Sequence, residues 1–119
     1  MLTEKDYCDY DTCVTLGELG FPLKRMKVKN GIDGKITEDT IVPVLLYEAQ
    51  KWLREEKGII VLVNHLMTQE GDWEWTVSYR YSTDMYYSYE EALSEGIKEA
   101  VKILKQMKQC LNKDKSLNS

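Results

Sequence analysis

Trp73-Glu-Trp-Thr-Val-Ser-Tyr-Arg-Tyr81 and, one turn later, Ser88-Tyr-Glu-Glu-Ala-Leu-Ser-Glu-Gly-Ile-Lys-Glu-Ala-Val-Lys-Ile-Leu104 decide the architecture of this 119-residue chain. The first segment alternates. A period of two puts Trp73, Trp75, Val77, Tyr79 and Tyr81 on one face of a strand and Glu74, Thr76, Ser78 and Arg80 on the other. The second segment opens with a capping box: the Ser88 hydroxyl accepts from the backbone N–H of Glu91, whose carboxylate is expected to return to the Ser88 N–H. Leu93, Ile97, Ala100, Leu104, Met107 and Leu111 then recur at spacings of four and three, which predicts a helix over about 89–110. Burying six such side chains contributes on the order of 10 kcal/mol before entropy is counted, so contact with the sheet decides this helix.

Upstream, Ile59-Ile-Val-Leu-Val63 is a β-branched run bounded by Gly58 and Asn64, and it reads as a central strand. Strands are therefore expected at about 59–65, 73–81 and 85–88, joined by turns at Met67–Asp72 and Ser82–Asp84. Leu45, Ala49, Trp52 and Leu53 predict a helix over about 43–57, with Pro43 in its first turn and Gly58 as its stop. A shorter helix near 12–19, capped by Asp9 or Asp11, ends at Gly20. Between them, Met26 and Val28 alternate with Lys27 and Lys29, and Asn30-Gly31 and Asp33-Gly34 signal turns, as in a small hairpin or an ordered loop. Residues 1–8 are expected to be loose and 112–119 to be a polar tail, flanking one domain over 9–111. The class is α+β: a three-stranded antiparallel sheet and a long C-terminal helix in two layers.

Sixteen Lys and Arg stand against twenty Asp and Glu, a formal net charge of −4, so the chain lacks the basic excess on which duplex binding depends. Locally, Lys24, Arg25, Lys27 and Lys29 form a basic ribbon, and with Arg80 they are the candidate nucleic-acid contacts. Aromatics alternating along a strand can stack single-stranded bases, but the same rings suit the floor on which the C-terminal helix rests. Tyr81, Tyr86, Tyr87 and Tyr89 crowd near the strand ends and form a candidate interaction surface, since tyrosine is rigid and amphipathic.

Catalytic patterns are weak. The one histidine, His65, has no ligand-spaced partners, and Cys8 and Cys13 have no second pair nearby, so no metal and no cofactor is expected. Asp33-Gly34 resembles the middle of a calcium loop, but Gly31 and Thr40 occupy places that need carboxylates. Gly17 and Gly20 lie near a helix end without the Lys and Ser/Thr of a phosphate loop. Glu55-Glu56 and Glu90-Glu91 are adjacent on helices and diverge, which does not make an acid–base pair. An odd cysteine count, no signal peptide and no membrane-length apolar run point to the cytoplasm.

Ala49-Gln-Lys-Trp-Leu-Arg-Glu-Glu-Lys-Gly-Ile-Ile60, the Trp-bearing strand and the Ser88–Leu104 helix resemble a group of small uncharacterised proteins from phages and mobile elements of gut bacteria; Leu16-Gly-Glu-Leu-Gly-Phe21 is similar to their first-helix ending. The group has no assigned activity, so the resemblance implies no functional residue. The order of strands and helix, with its Glu-Glu-Ala-Leu opening, is more distantly similar to the HicB antitoxin domain and to double-stranded-RNA-binding domains. The expected function is that of a non-catalytic accessory protein that binds another protein, a second copy of itself in a homodimer being one candidate partner; a nucleic-acid-binding or antitoxin-like regulator is the alternative.

Overall fold

The structure, a computed structural model, describes residues 2–29, 34, 36–66, 72–78 and 80–117, with 28–29, 36–39 and 110–117 described along the backbone only. The fold is α+β: a long C-terminal helix lies across a three-stranded antiparallel sheet, and a separate two-stranded sheet precedes them in sequence.

The N-terminal segment is held more firmly than its polarity suggests. Thr3 caps a single 3-10 turn, Glu4–Asp6, and Asp6 Oδ2 accepts from the Thr3 N–H at 2.7 Å. Tyr7 bridges Leu45, and the Cys8 N–H donates to the Val44 carbonyl at 2.8 Å. Within residues 1–8, expected from sequence to be loose, Tyr7 and Cys8 are thus bonded to the body, with Cys8 buried.

Helix α1 (Tyr10–Glu18) starts two residues before the expected 12, because Asp9 accepts the Thr12 N–H at 2.8 Å. It ends at Leu19, after which Gly20 takes φ 109°, a left-handed conformation that glycine allows without a Cβ penalty. Strands β1 (Arg25–Lys29) and β2 (Ile36–Ile41) make the expected hairpin, in register Arg25↔Ile41, Met26↔Thr40 and Lys27↔Asp39. The turn signals between them lie largely outside the described residues.

Helix α2 (Leu46–Lys57) begins later than the predicted 43. Pro43 is not in its first turn. Leu45 is extended, its partner is Tyr7, and the Val44 carbonyl is taken by Cys8, so the chain is pinned as a strand-like crossing before it can coil. The far end is as expected, with Gly58 at φ 67°.

The sheet has the order β3 (Val61–His65), β4 (Trp73–Val77), β5 (Arg80–Tyr81). Three sequence expectations change here. The aliphatic run 59–63 does not make a central strand; β3 is an edge, and β4 is in the middle. The strand expected over 73–81 is two strands. Ser78 has φ 56° and begins a two-residue turn, so Val77 pairs with Arg80 and Thr76 with Tyr81. The turn inverts the alternation beyond it: Arg80 shares the Val77 face, and Tyr81 falls on the opposite one. The edge strand expected over 85–88 reduces to one bridge, Trp73↔Tyr86.

Helix α3 (Tyr89–Leu117) roofs the Trp75 face and runs through much of the expected polar tail. Ser88 Oγ accepts from Glu91 N–H at 3.2 Å as predicted, but the Glu91 carboxylate accepts from Tyr87 N–H, one residue earlier than expected. Leu93, Ile97, Ala100 and Leu104 are buried with Ala92 and Val101, whereas Met107 is exposed. The apolar seam is therefore covered at four of its five described positions, and Leu111 lies outside the described side chains. Gly96 marks the closest approach: a Cβ there would stand 2.8 Å from Val61 Cγ1 and 3.1 Å from Trp75 Cβ. Leu16 and Leu53 close the same core from α1 and α2. Among the described residues no helix is long and apolar enough to cross a membrane.

Candidate interaction surface

Because α3 covers only one side of the sheet, the even-numbered residues of β3 and β4 point outward. Ile60, Leu62 and Leu66 are 50%, 52% and 43% exposed, and Tyr81 is 71% exposed. Leu62 pairs with Thr76, and Thr76 with Tyr81, so these three form one row across the strands. A shallow hollow lined by Gly58, Ile60, Leu62, Thr76 and Ser78 lies along it. Exposed aliphatics scattered singly are ordinary; several gathered on one sheet face make it a candidate contact surface.

The edge of β3 has its own geometry. In an antiparallel ladder, successive residues turn their backbone groups alternately toward and away from a given neighbour. Leu66 N–H donates to the Asp72 carbonyl at 3.0 Å, and Trp75 exchanges bonds with Ser82 on the other side, Ser82 N–H to Trp75 carbonyl at 3.0 Å and Trp75 N–H to Ser82 Oγ at 3.2 Å. Leu62, Asn64 and Leu66 therefore face β4, and Val61, Val63 and His65 aim their backbone groups at the open edge. Gln50 Nε2, from α2, donates to the Val61 carbonyl at 2.8 Å. No strand among the described residues pairs with Val63 or His65 on that edge.

The four candidate tyrosines do not share one patch. Tyr81 belongs to the outer row. Tyr86 is half-buried at its bridge with Trp73, Tyr87 is almost fully exposed, and Tyr89 sets its ring edge-on to Trp73 at 5.6 Å. Trp73 also stacks on His65 at 4.4 Å, so His65 is engaged with an indole.

The basic candidates are divided too. Lys24, Arg25 and Lys27 are exposed on the β1 side of the hairpin, and the side chain of Lys29 lies outside the described residues. Lys27 is in register with Asp39, and Val28 with Glu38, so a strand of cations runs beside a strand of anions. Arg80 is elsewhere, facing α3, where its Nη1 meets Glu99 Oε1 at 2.5 Å.

A cavity of about 660 Å³ lies between the N-terminal segment and the first turns of α3, with Glu4, Tyr7, Cys8, Tyr86, Glu91 and Lys98 on its walls. His65 is not among its lining residues. Burial, then the neighbouring Cys13 and Asp9, pushes the Cys8 thiol up to about 12, and burial raises Cys13 as well. Neither is a ready thiolate nucleophile. Asp9 is held below its usual range by its bond from Thr12 and by Lys98, whose Nζ lies 3.2 Å from Asp9 Oδ2 and 3.2 Å from Glu95 Oε1. Among the described residues no three His, Cys, Asp or Glu side chains are placed to hold a metal ion.

Sequence reasoning named Tyr81 as a candidate and did not name Ile60, Leu62 or Leu66, which are exposed on the same face. The available signal was arithmetic: one long helix can roof one face of a sheet, yet the run 59–63 is apolar on both. Comparison with protein-family models, with curated proteins and with solved structures finds no match.

Proposed function

We propose that the protein is a non-catalytic interaction module that binds another protein on the outer face of its three-stranded sheet, a small accessory protein of the kind its resemblance to phage and mobile-element proteins implies. One observation carries this reading: Ile60, Leu62 and Tyr81, on a face opposite the core, are each at least half exposed. An aromatic anchor beside aliphatics is the composition that interface centres favour. Nucleic-acid binding is the weaker alternative, because the hairpin sets Lys27 against Asp39 and Arg80 is engaged with Glu99.

The test is site-specific photo-cross-linking in the cells that make the protein, with benzoylphenylalanine at Leu62, at Tyr81 and, as a control on the exposed side of α3, at Lys102. Protein adducts from Leu62 and Tyr81 but not from Lys102 are expected. Adducts to nucleic acid, equal labelling from all three, or none from any, would overturn the reading.

A further inference from the structure

We infer that the open edge of β3 pairs with the same edge of a second copy, making a two-fold dimer with a continuous six-stranded sheet. This inference rests on the reading of the protein as an interaction module and adds to it a contact between two copies at the β3 edge, which leaves Tyr81 on the outer face free for another protein.

The register follows from the backbone. Val61, Val63 and His65 face the edge, but the Val61 carbonyl is already taken by Gln50. That leaves Val63 and His65 as the outward pair. Two antiparallel copies satisfy both when Val63 of each exchanges its N–H and C=O with His65 of the other, with the two-fold axis passing between the two Asn64 residues. This register sets Leu62 of one copy opposite Leu66 of the other, twice. Both leucines are exposed on the outer face in the single chain, at 52% and 43%. Asn64 meets Asn64, where two amides can donate to each other. Both copies of α3 then lie on the same side of the joined sheet, and the row from Tyr81 through Leu62 continues into the second copy.

The occupant is chosen by this self-complementarity and by what the edge lacks. Edge strands that stay single are usually defended by charge, proline or a bulge. Ile60 to Leu66 contains no acid, lysine, arginine or proline, and β3 pairs with β4 without a break in register. A chain of net charge −4 therefore meets its copy where neither contributes a carboxylate.

The test combines mass and register on the full chain in a Cys110→Ser background. Light scattering at micromolar concentration is expected to give twice the mass of one chain, and Leu62→Glu to halve it with an unchanged circular dichroism spectrum. The two Asn64 residues would form a non-hydrogen-bonded pair with Cα atoms about 4.5 Å apart, within disulfide reach. Asn64→Cys should therefore cross-link to a covalent dimer under mild oxidation. Leu62→Cys, offset from its own copy by four residues, should not. A single-chain mass for the parent protein together with no cross-link from Asn64→Cys would overturn the inference, and so would equal cross-linking from Leu62→Cys. If the pure protein is monomeric while Leu62 still photo-cross-links to a different protein in cells, the module reading stands and this inference alone falls.

Discussion

The chain builds two antiparallel sheets from similar ladders and treats them differently. The β3–β4–β5 sheet has α3 across one face, with Val61, Val77 and Ile97 buried between them. The β1–β2 ribbon finds its extensive contacts within itself and joins the body at its base, where Leu23 and Ile41 rest on the core and Val42 N–H reaches the Lys24 carbonyl at 2.8 Å. Lys24, Arg25, Met26 and Lys27 are exposed along β1. Among the described residues, hydrogen bonding does not distinguish the two sheets; apolar cover does. A lone two-stranded ribbon is marginal in water, whereas a third strand and a helix make a sheet self-sufficient.

The most severe way to break this contrast is Ile97→Asp. It buries an unpaired carboxylate under the covered sheet, and the loss should be about 5 kcal/mol, enough to unfold a domain of ordinary stability. Urea denaturation followed by tryptophan fluorescence measures it, since Trp75 lies directly beneath α3. A midpoint near that of the parent protein would mean that α3 is not what holds the sheet.

Alkaline pH probes the same core from its N-terminal side. Burial holds the Cys8 thiol at about 12, above its ordinary value of 9.0. The sign follows: below pH 9 both folded and unfolded states keep the proton, and the contribution is fully present. As pH rises toward 12 the unfolded thiol ionises first, so stability falls by up to about 1.4 kcal/mol per pH unit. Comparing the parent with Cys8→Ala across that window isolates the thiol from tyrosine and lysine titration. The parent should lose stability faster; parallel curves would place Cys8 in contact with water.

Gly96→Ala sharpens the comparison because two effects oppose each other. In an exposed helix the change gains about 1 kcal/mol. Here the new methyl stands 2.8 Å from Val61 Cγ1, and overpacking typically costs about 1–3 kcal/mol. A net loss of about 1 kcal/mol in thermal or urea unfolding is expected. A net gain would show that α3 rides higher over the sheet than the contact implies.

How much of this was legible in the sequence depends on how local the cause is. Ser88, Gly20 and Gly58 announce helix ends through their own backbone chemistry, and the spacing from Leu93 to Leu104 announces the covered face. The turn after Val77 is silent: Ser78 and Tyr79 carry none of the Gly or Asn signals of a tight hairpin, and Ser78 accepts φ 56° only because the surrounding pairs demand it. Alternation carried through the turn puts Arg80 and Tyr81 on the wrong faces. Pro43 failed as a helix start for a different reason, because Tyr7 and Cys8, far away in sequence, claim Leu45 and Val44, the residues that follow it. The candidate surface was half legible. Tyr81 stands out by type, while Ile60 and Leu62 look like core until the number of available roofs is counted.

The smallest effect is expected from removing the ribbon itself. Lys27 to Asp39 can be replaced by Asn-Gly, joining the hydrogen-bonded register partners Met26 and Thr40 through a two-residue turn while keeping Leu23, Ile41 and Val42 at the base. If the ribbon is sustained by its own pairing and by the turn, the body should not notice: the change in unfolding free energy should stay within about 0.5 kcal/mol, the range of surface substitutions. Hydrogen exchange on the parent chain gives a second reading, since the Met26 and Thr40 amides, which face each other across the ribbon, should open at far lower cost than those of Leu62 and Thr76. A loss of several kcal/mol on excision, or equal protection of both sheets, would make the ribbon part of one cooperative unit with the core. The distinction between a covered sheet and a bare one would then be wrong as an explanation of this fold.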